Sequence, residues 1–186
     1  MQRLRGRTTI DNLARPMLSE SLQAPAAAAT DTIVADVTIA NGAQIVQAQP
    51  DVPRNLTATV TDGNASISAG TVTIVGTDPQ GRAVTELLTL PTLTLTGTKI
   101  FAKVTTVTVA GLVGNAGGDN LKVGCGNVIG LMNDIANSSA IKVVYFNKAV
   151  VTPAAVATGT SKSGVDYNTG TYDASKPMHV LYQPGA

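Results

Sequence analysis

The chain has 186 residues, 13 basic against 12 acidic for a formal net charge of +1, and is 44% hydrophobic, 13% charged and 3% aromatic. These values exclude wholesale disorder, which needs low hydrophobicity and high charge. A disulfide framework is excluded as well, since Cys125 is alone. No run approaches the ~20 apolar residues of a membrane-spanning helix, so no membrane partner is expected.

The length fits one domain, or one domain with a long appendage. The 25 threonines mostly alternate with Val, Ile or Leu, and 18 glycines and 9 prolines punctuate them. β-Branched side chains lose rotamer freedom in helices and pack well on a pleated surface. The expected class is therefore all-β, a sandwich or partly open barrel of short strands with an extended N-terminal arm.

Residues 1–30 form that arm. They hold Arg3, Arg5, Arg7 and Arg15 with only Asp11 and Glu20 against them, and Pro16, Pro25 and the Ala26–Ala29 run break any periodicity. One short helix is expected to end before Pro16. No apolar h-region follows the arginines, so a secretory signal is not expected, and nothing downstream supports a transit peptide. Holding thirty such residues still costs on the order of tens of kcal/mol. With few apolar anchors of its own, the arm is expected to be gripped by neighbouring chains through its arginines.

Residues 31–186 are expected to form a single β-rich domain. Thr32–Ile39 and Ala43–Gln47 flank Asn41-Gly42, a hairpin signal. Asn55–Thr61 places Leu56, Ala58 and Val60 on one face. Thr71–Thr77 follows, and Asp78–Gly81 turns the chain. Arg82–Leu90 returns with Ala83, Thr85, Leu87 and Thr89 on one side and Val84, Glu86, Leu88 and Leu90 on the other. Leu93–Thr96, Lys99–Ala102 and Val104–Val109 continue the pattern.

The stretch Gly111–Gly130 is dense in glycine, but its spacing misses both phosphate-binding fingerprints and no helix pattern follows. Tight turns and bulges between short strands are expected there. Ile141–Lys148 is the most aromatic strand. Residues 152–170 are rich in Ala, Thr, Gly and Ser and are expected to be an exposed loop. Thr171–Asp173 and Met178–Tyr182 supply one or two closing strands. Tyr167, Tyr172 and Tyr182 cluster near the C-terminus, either as a flat contact patch or as the cap of a weak core.

The chemistry of catalysis is thin. The acidic residues are scattered singly, mostly in turns, without the neighbours that acid–base pairs need. Cys125 has His179 as its sole possible imidazole partner, and one of each residue rules out most zinc and triad chemistry. No enzyme activity, cofactor or metal is expected. The arm's four arginines would attract phosphate, yet the body shows no basic stripe or stacking platform, so nucleic acid is not an expected partner.

Pro53–Asp62, Ile67–Gly76, Thr77–Arg82 and Thr85–Thr89, followed by Lys99–Val104, Gly117–Gly124 and Asn127–Leu131, resemble a loose group of tailed-bacteriophage virion proteins. The resemblance covers roughly residues 50–135, by general pattern and not by a catalytic signature. It implies a capsid decoration (cement) protein, made in the host cytoplasm and carried on the outer surface of a head shell. Its partners would be the major capsid protein and copies of itself, as trimers or dimers. Other virion parts (a head fibre, tail tube or baseplate) and an extracellular β-sandwich binding module are the competing expectations.

Overall fold

Alternation of Thr with Val, Ile and Leu, interrupted by Gly and Pro, yields strands nearly throughout. The computed structural model describes residues 16–166 and 172–184. In chain order its strands are β1 (Leu18–Ser21), β2 (Ala29–Thr38), β3 (Gly42–Gln44), β4 (Arg54–Thr61), β5 (Ala69–Thr77), β6 (Ala83–Leu90) and β7 (Thr94–Phe101). There follow β8 (Lys103–Val113), β9 (Asn120–Gly130), β10 (Ile141–Phe146), β11 (Ala149–Val151), β12 (Ala155–Ala157), β13 (Gly164–Asp166) and β14 (Met178–Tyr182). A 3-10 turn, Ser138–Ala140, precedes β10.

The strands form three antiparallel sheets, ordered β1-β14-β10-β11, β12-β13-β9-β4-β7 and β3-β8-β5-β6, with β2 added to β9 beside β13. The sheets curl into a half-barrel, so the all-β class is the one the composition implies. Two hydrophobic clusters hold them together. The larger joins Ile33, Leu56, Val60, Val72, Ile74, Leu88, Val107, Leu121 and Val123. The smaller joins Ile129, Leu131, Ile135, Val144, Phe146, Val165, Met178 and Val180. Strand β9 serves both, with Leu121, Val123 and Cys125 in the first and Ile129 in the second.

Four expectations need correction. The arm does not run to residue 30: β1 pairs with β14 from Leu18↔Tyr182 to Ser21↔His179, and Ala29 already pairs with Cys125. Leu22 is buried in the smaller cluster, and β14 offers an otherwise unpaired edge, which is why this stretch folds onto its own chain. Residues 1–15, with the expected helix, lie outside the described residues.

Asn41-Gly42 does not close a hairpin, because β2 and β3 belong to different sheets. Ile39, fully buried, carries the chain inward. Asn41 Oδ1 then accepts the Leu112 amide at 3.0 Å, and Gly42 turns the backbone at φ +117°.

Nor are residues 152–166 an exposed loop. β12 and β13 pair as a hairpin from Ala155↔Asp166 to Ala157↔Gly164, and β13 adds to β9. Val165 anchors the hairpin in the smaller core, while the Ser163 hydroxyl accepts from the Ile135 amide at 2.8 Å and donates to the Gly159 carbonyl at 2.9 Å.

The second half of the glycine-dense stretch is not a set of turns between short strands but β9, an interior strand of eleven residues. Its glycines mark close approach: a Cβ on Gly124 would strike the Ala29 carbonyl, and one on Gly126 the side-chain amide of Asn55.

Candidate interaction surface

The sheet β3-β8-β5-β6 has two unlike faces. Inward, Val72, Ile74, Val84, Leu88, Leu90, Val104, Val107 and Val109 are buried in the larger core. Outward, the strand register aligns side chains in rows. One row reads Ala43, Thr108, Thr73, Leu87. On either side of it lie Ala110, Thr71, Thr89 and Thr106, Val75, Thr85. None of these ten side chains carries a charge. Lys103, opposite Thr77, stands just past the last of these rows. Leu87 is 52% exposed at the β6 end of the middle row, and Ile45, one residue beyond β3, is 82% exposed.

Buried polar groups fix β6, the outer strand of that sheet. Its inward Glu86 accepts the amides of Thr98 at 2.8 Å and Lys99 at 2.6 Å, where β7 bulges against β4. At its start, Arg82 forks onto two carboxylates. Nε donates to Asp78 Oδ2 at 2.6 Å, and the two terminal nitrogens donate to Asp134, Nη2 to Oδ1 at 3.0 Å. These bonds raise the Arg82 pKa above its already high value. Burial on its own would push the Asp78 carboxyl up, but bonds from Arg82 and Ser161 outweigh it and hold Asp78 below the usual carboxylate range. Ser161 Oγ reaches Asp78 at 2.8 Å and the Ser161 amide reaches Asp134 at 3.1 Å, so the cluster ties β6 to the 158–163 turn.

This arrangement is suited to adhesion. Threonine and valine are stiff at χ1, so docking onto them freezes little side-chain entropy. The face holds ten positions over three rows, about 330 Å² from standard strand spacings. That is less than half of the ~800 Å² each partner contributes to a standard stable pair. A surface of this size works when many copies each make several contacts.

The residues singled out from sequence are placed elsewhere. Arg3, Arg5, Arg7, Arg15 and Tyr167 lie outside the described residues. Tyr172 and Tyr182 form no exposed patch, being 2% and 1% exposed in the smaller core. Tyr172 meets Phe146 edge-on at 5.8 Å between ring centroids. The Tyr182 hydroxyl donates to Glu20 Oε2 at 2.8 Å and accepts from Asn133 Nδ2 at 3.2 Å. Burial, together with the Glu20 carboxylate, pushes its pKa up to about 12. Both rings cap a core, the other of the two readings.

Cys125 is buried in β9, and burial raises its thiol pKa against the opposing pull of Arg54. It borders a cleft of about 320 Å³, lined also by Ala29, Asn55, Gly126 and Val128, at the seam between β2 and β13. His179 stands in a different sheet, on β14. Among the described residues no three His, Cys, Asp or Glu side chains are placed to hold a metal ion.

The uncharged face had a partial signal in sequence. The alternation of Thr85, Leu87 and Thr89 marks the outward side of β6, but only the register of four strands shows three adjoining charge-free rows. Comparison with family models, with characterised proteins and with solved structures found no match.

Proposed function

We propose that the chain is a structural part of a tailed-phage virion, a decoration module that lies on the outside of a capsid shell and clamps neighbouring capsomers. The observation that carries this reading is the outward face of β3-β8-β5-β6, three rows of threonine and aliphatic side chains without a charge. Such a face loses little on desolvation compared with a charged one. The resemblance of residues 50–135 to virion proteins supplies the kind of assembly. Mechanism on this reading is adhesion: each copy covers a seam between shell subunits, and the energy comes from repetition across the shell.

The test uses particles assembled from the genome that encodes the chain. Immunogold electron microscopy with antibody against the chain should label the head surface uniformly. With Thr73→Lys and Leu87→Lys introduced together, particles should lose most of their copies while the purified variant keeps its melting temperature. Unchanged occupancy by a folded variant, or label confined to the tail, would overturn the reading.

A further inference from the structure

The first described strand is attached to its own body in a way that suits exchange between copies. Among the described residues β1 has one strand neighbour, β14, at the edge of its sheet. Its side-chain latch is Glu20, whose carboxylate accepts the Met132 amide at 3.0 Å and the Tyr182 hydroxyl at 2.8 Å. Leu22 continues the pairing, donating to the Met178 carbonyl at 2.8 Å, and the Met178 amide donates to the Gln23 carbonyl at 2.7 Å.

Beyond that point the chain bends sharply. Gln23 has φ +56°, the left-handed region that a glutamine adopts only at a cost. Pro25 follows, which favours an extended Ala24. The next fixed points are Pro25, whose carbonyl accepts from the Ala174 amide at 3.0 Å, and Ala26, whose amide donates to Asp51 Oδ2 at 2.6 Å and whose carbonyl accepts from Arg54 Nη2 at 3.0 Å. A cleft of about 230 Å³, lined by Glu20, Leu22, Gln23, Asp51, Val52 and Met132, runs beside the bend.

We infer that β1 is an exchangeable strap, which in a crowded assembly unbends at Gln23 and adds to β14 of a second copy of this chain. Every contact of residues 18–22 is reproduced in the acceptor, so exchange puts at stake only the bond from the Met178 amide to the Gln23 carbonyl. What differs is the hinge: an extended Gln23 relieves the left-handed conformation that closure onto the same chain requires. Between Leu22, paired on the acceptor, and Pro25, held on the parent body, three extended steps span about 10 Å, so the exchanging copies lie edge to edge. Where copies sit side by side, an effective concentration near the millimolar range replaces the entropy lost in pairing. The inference concerns copies of this chain alone and stands apart from what the charge-free face binds.

The experiment is a cross-linking test on the full chain in a Cys125→Ala background. Ser19 and Leu181 face each other across β1 and β14. One preparation carries Ser19→Cys and another Leu181→Cys. They are mixed at millimolar concentration, oxidised and run without reductant. The double variant Ser19→Cys/Leu181→Cys serves as control, since a disulfide within one chain shows that the pair is linkable and the variants fold. We expect the mixture to give a disulfide-linked heterodimer, several-fold above the homodimer of either preparation alone. Gln23→Gly, which removes the left-handed cost, should lower the heterodimer about fivefold. A control that closes while the mixture stays monomeric would overturn the strap, and an unchanged yield with Gln23→Gly would overturn the role of the bend.

Discussion

The side chain of Asn55 occupies the space that a Cβ on Gly126 would take. It stands where the strands on both sides bulge, with Nδ2 donating to the Gly97 carbonyl at 3.0 Å and Oδ1 accepting the Val128 amide at 2.9 Å. Asn55→Ala leaves both backbone groups short of a partner and should cost about 2–4 kcal/mol in denaturant unfolding. Gly126→Ala overpacks the same spot and should cost about 1–3 kcal/mol. Made together, the two should cost clearly less than their sum, because Asn55→Ala vacates the space that the methyl of Gly126→Ala needs. Strict additivity would show that they do not share the site.

Asp78 contributes to the acid stability of the fold. Its carboxylate takes four donors, the Gln80 and Arg82 amides, Arg82 Nε and Ser161 Oγ. Because its pKa is depressed in the folded chain, its contribution is complete above the unfolded value near ~3.9 and is lost as pH falls through the lower folded value. Asp78→Asn should cost about 2 kcal/mol at pH 7, measured by urea unfolding. It should also flatten the loss of stability as pH falls below about 4, the unfolded value. An unaltered acid limb would remove Asp78 from this role.

Glu20 works in the opposite sense. Burial raises its pKa more than the bonds from Tyr182 and Met132 lower it, so the folded chain holds its proton more tightly than the unfolded one. Its ionised form therefore weakens the fold at neutral pH, and stability is regained as pH drops through the raised value towards the unfolded one near ~4.3. Glu20→Gln keeps an acceptor for the Met132 amide or the Tyr182 hydroxyl without a charge to bury. At pH 7.5 it should match or exceed the parent by up to about 1 kcal/mol, and the difference should vanish near pH 4 (about the unfolded pKa). A variant weaker than the parent at pH 7.5 would mean that the ionised latch outweighs its desolvation.

Much of the strand layout is legible in sequence, for a local reason. Leu56, Ala58 and Val60, and Val84, Leu88 and Leu90, alternate with threonine at period two, and all six are buried as the alternation requires. Glu86 shares the inward side of β6, but nothing in its neighbourhood along the chain announces the two amides of β7 that it accepts. Pairings between distant segments are equally silent, since they depend on which edge a strand finds. β1 joins β14, and Arg82 finds Asp134, across spans that no local pattern encodes. Turn chemistry misled at Asn41-Gly42 because a corner between sheets uses the same residues as a hairpin. Glycine misled in β9, where small residues admit neighbouring atoms instead of bending the strand. The charge-free face was half visible, as single rows whose adjacency only the register supplies.

The most direct measurement places a reporter in the middle of that face. A Thr73→Cys chain, with Cys125 buried and out of reach, is treated with a maleimide both as free protein and within assembled particles. We expect rapid labelling of the free chain and at least tenfold slower labelling in the particle, where the face is covered. Equal rates in the two states, with the chain present in the particle at full copy number, would contradict the assignment of β3-β8-β5-β6 as the adhesive surface.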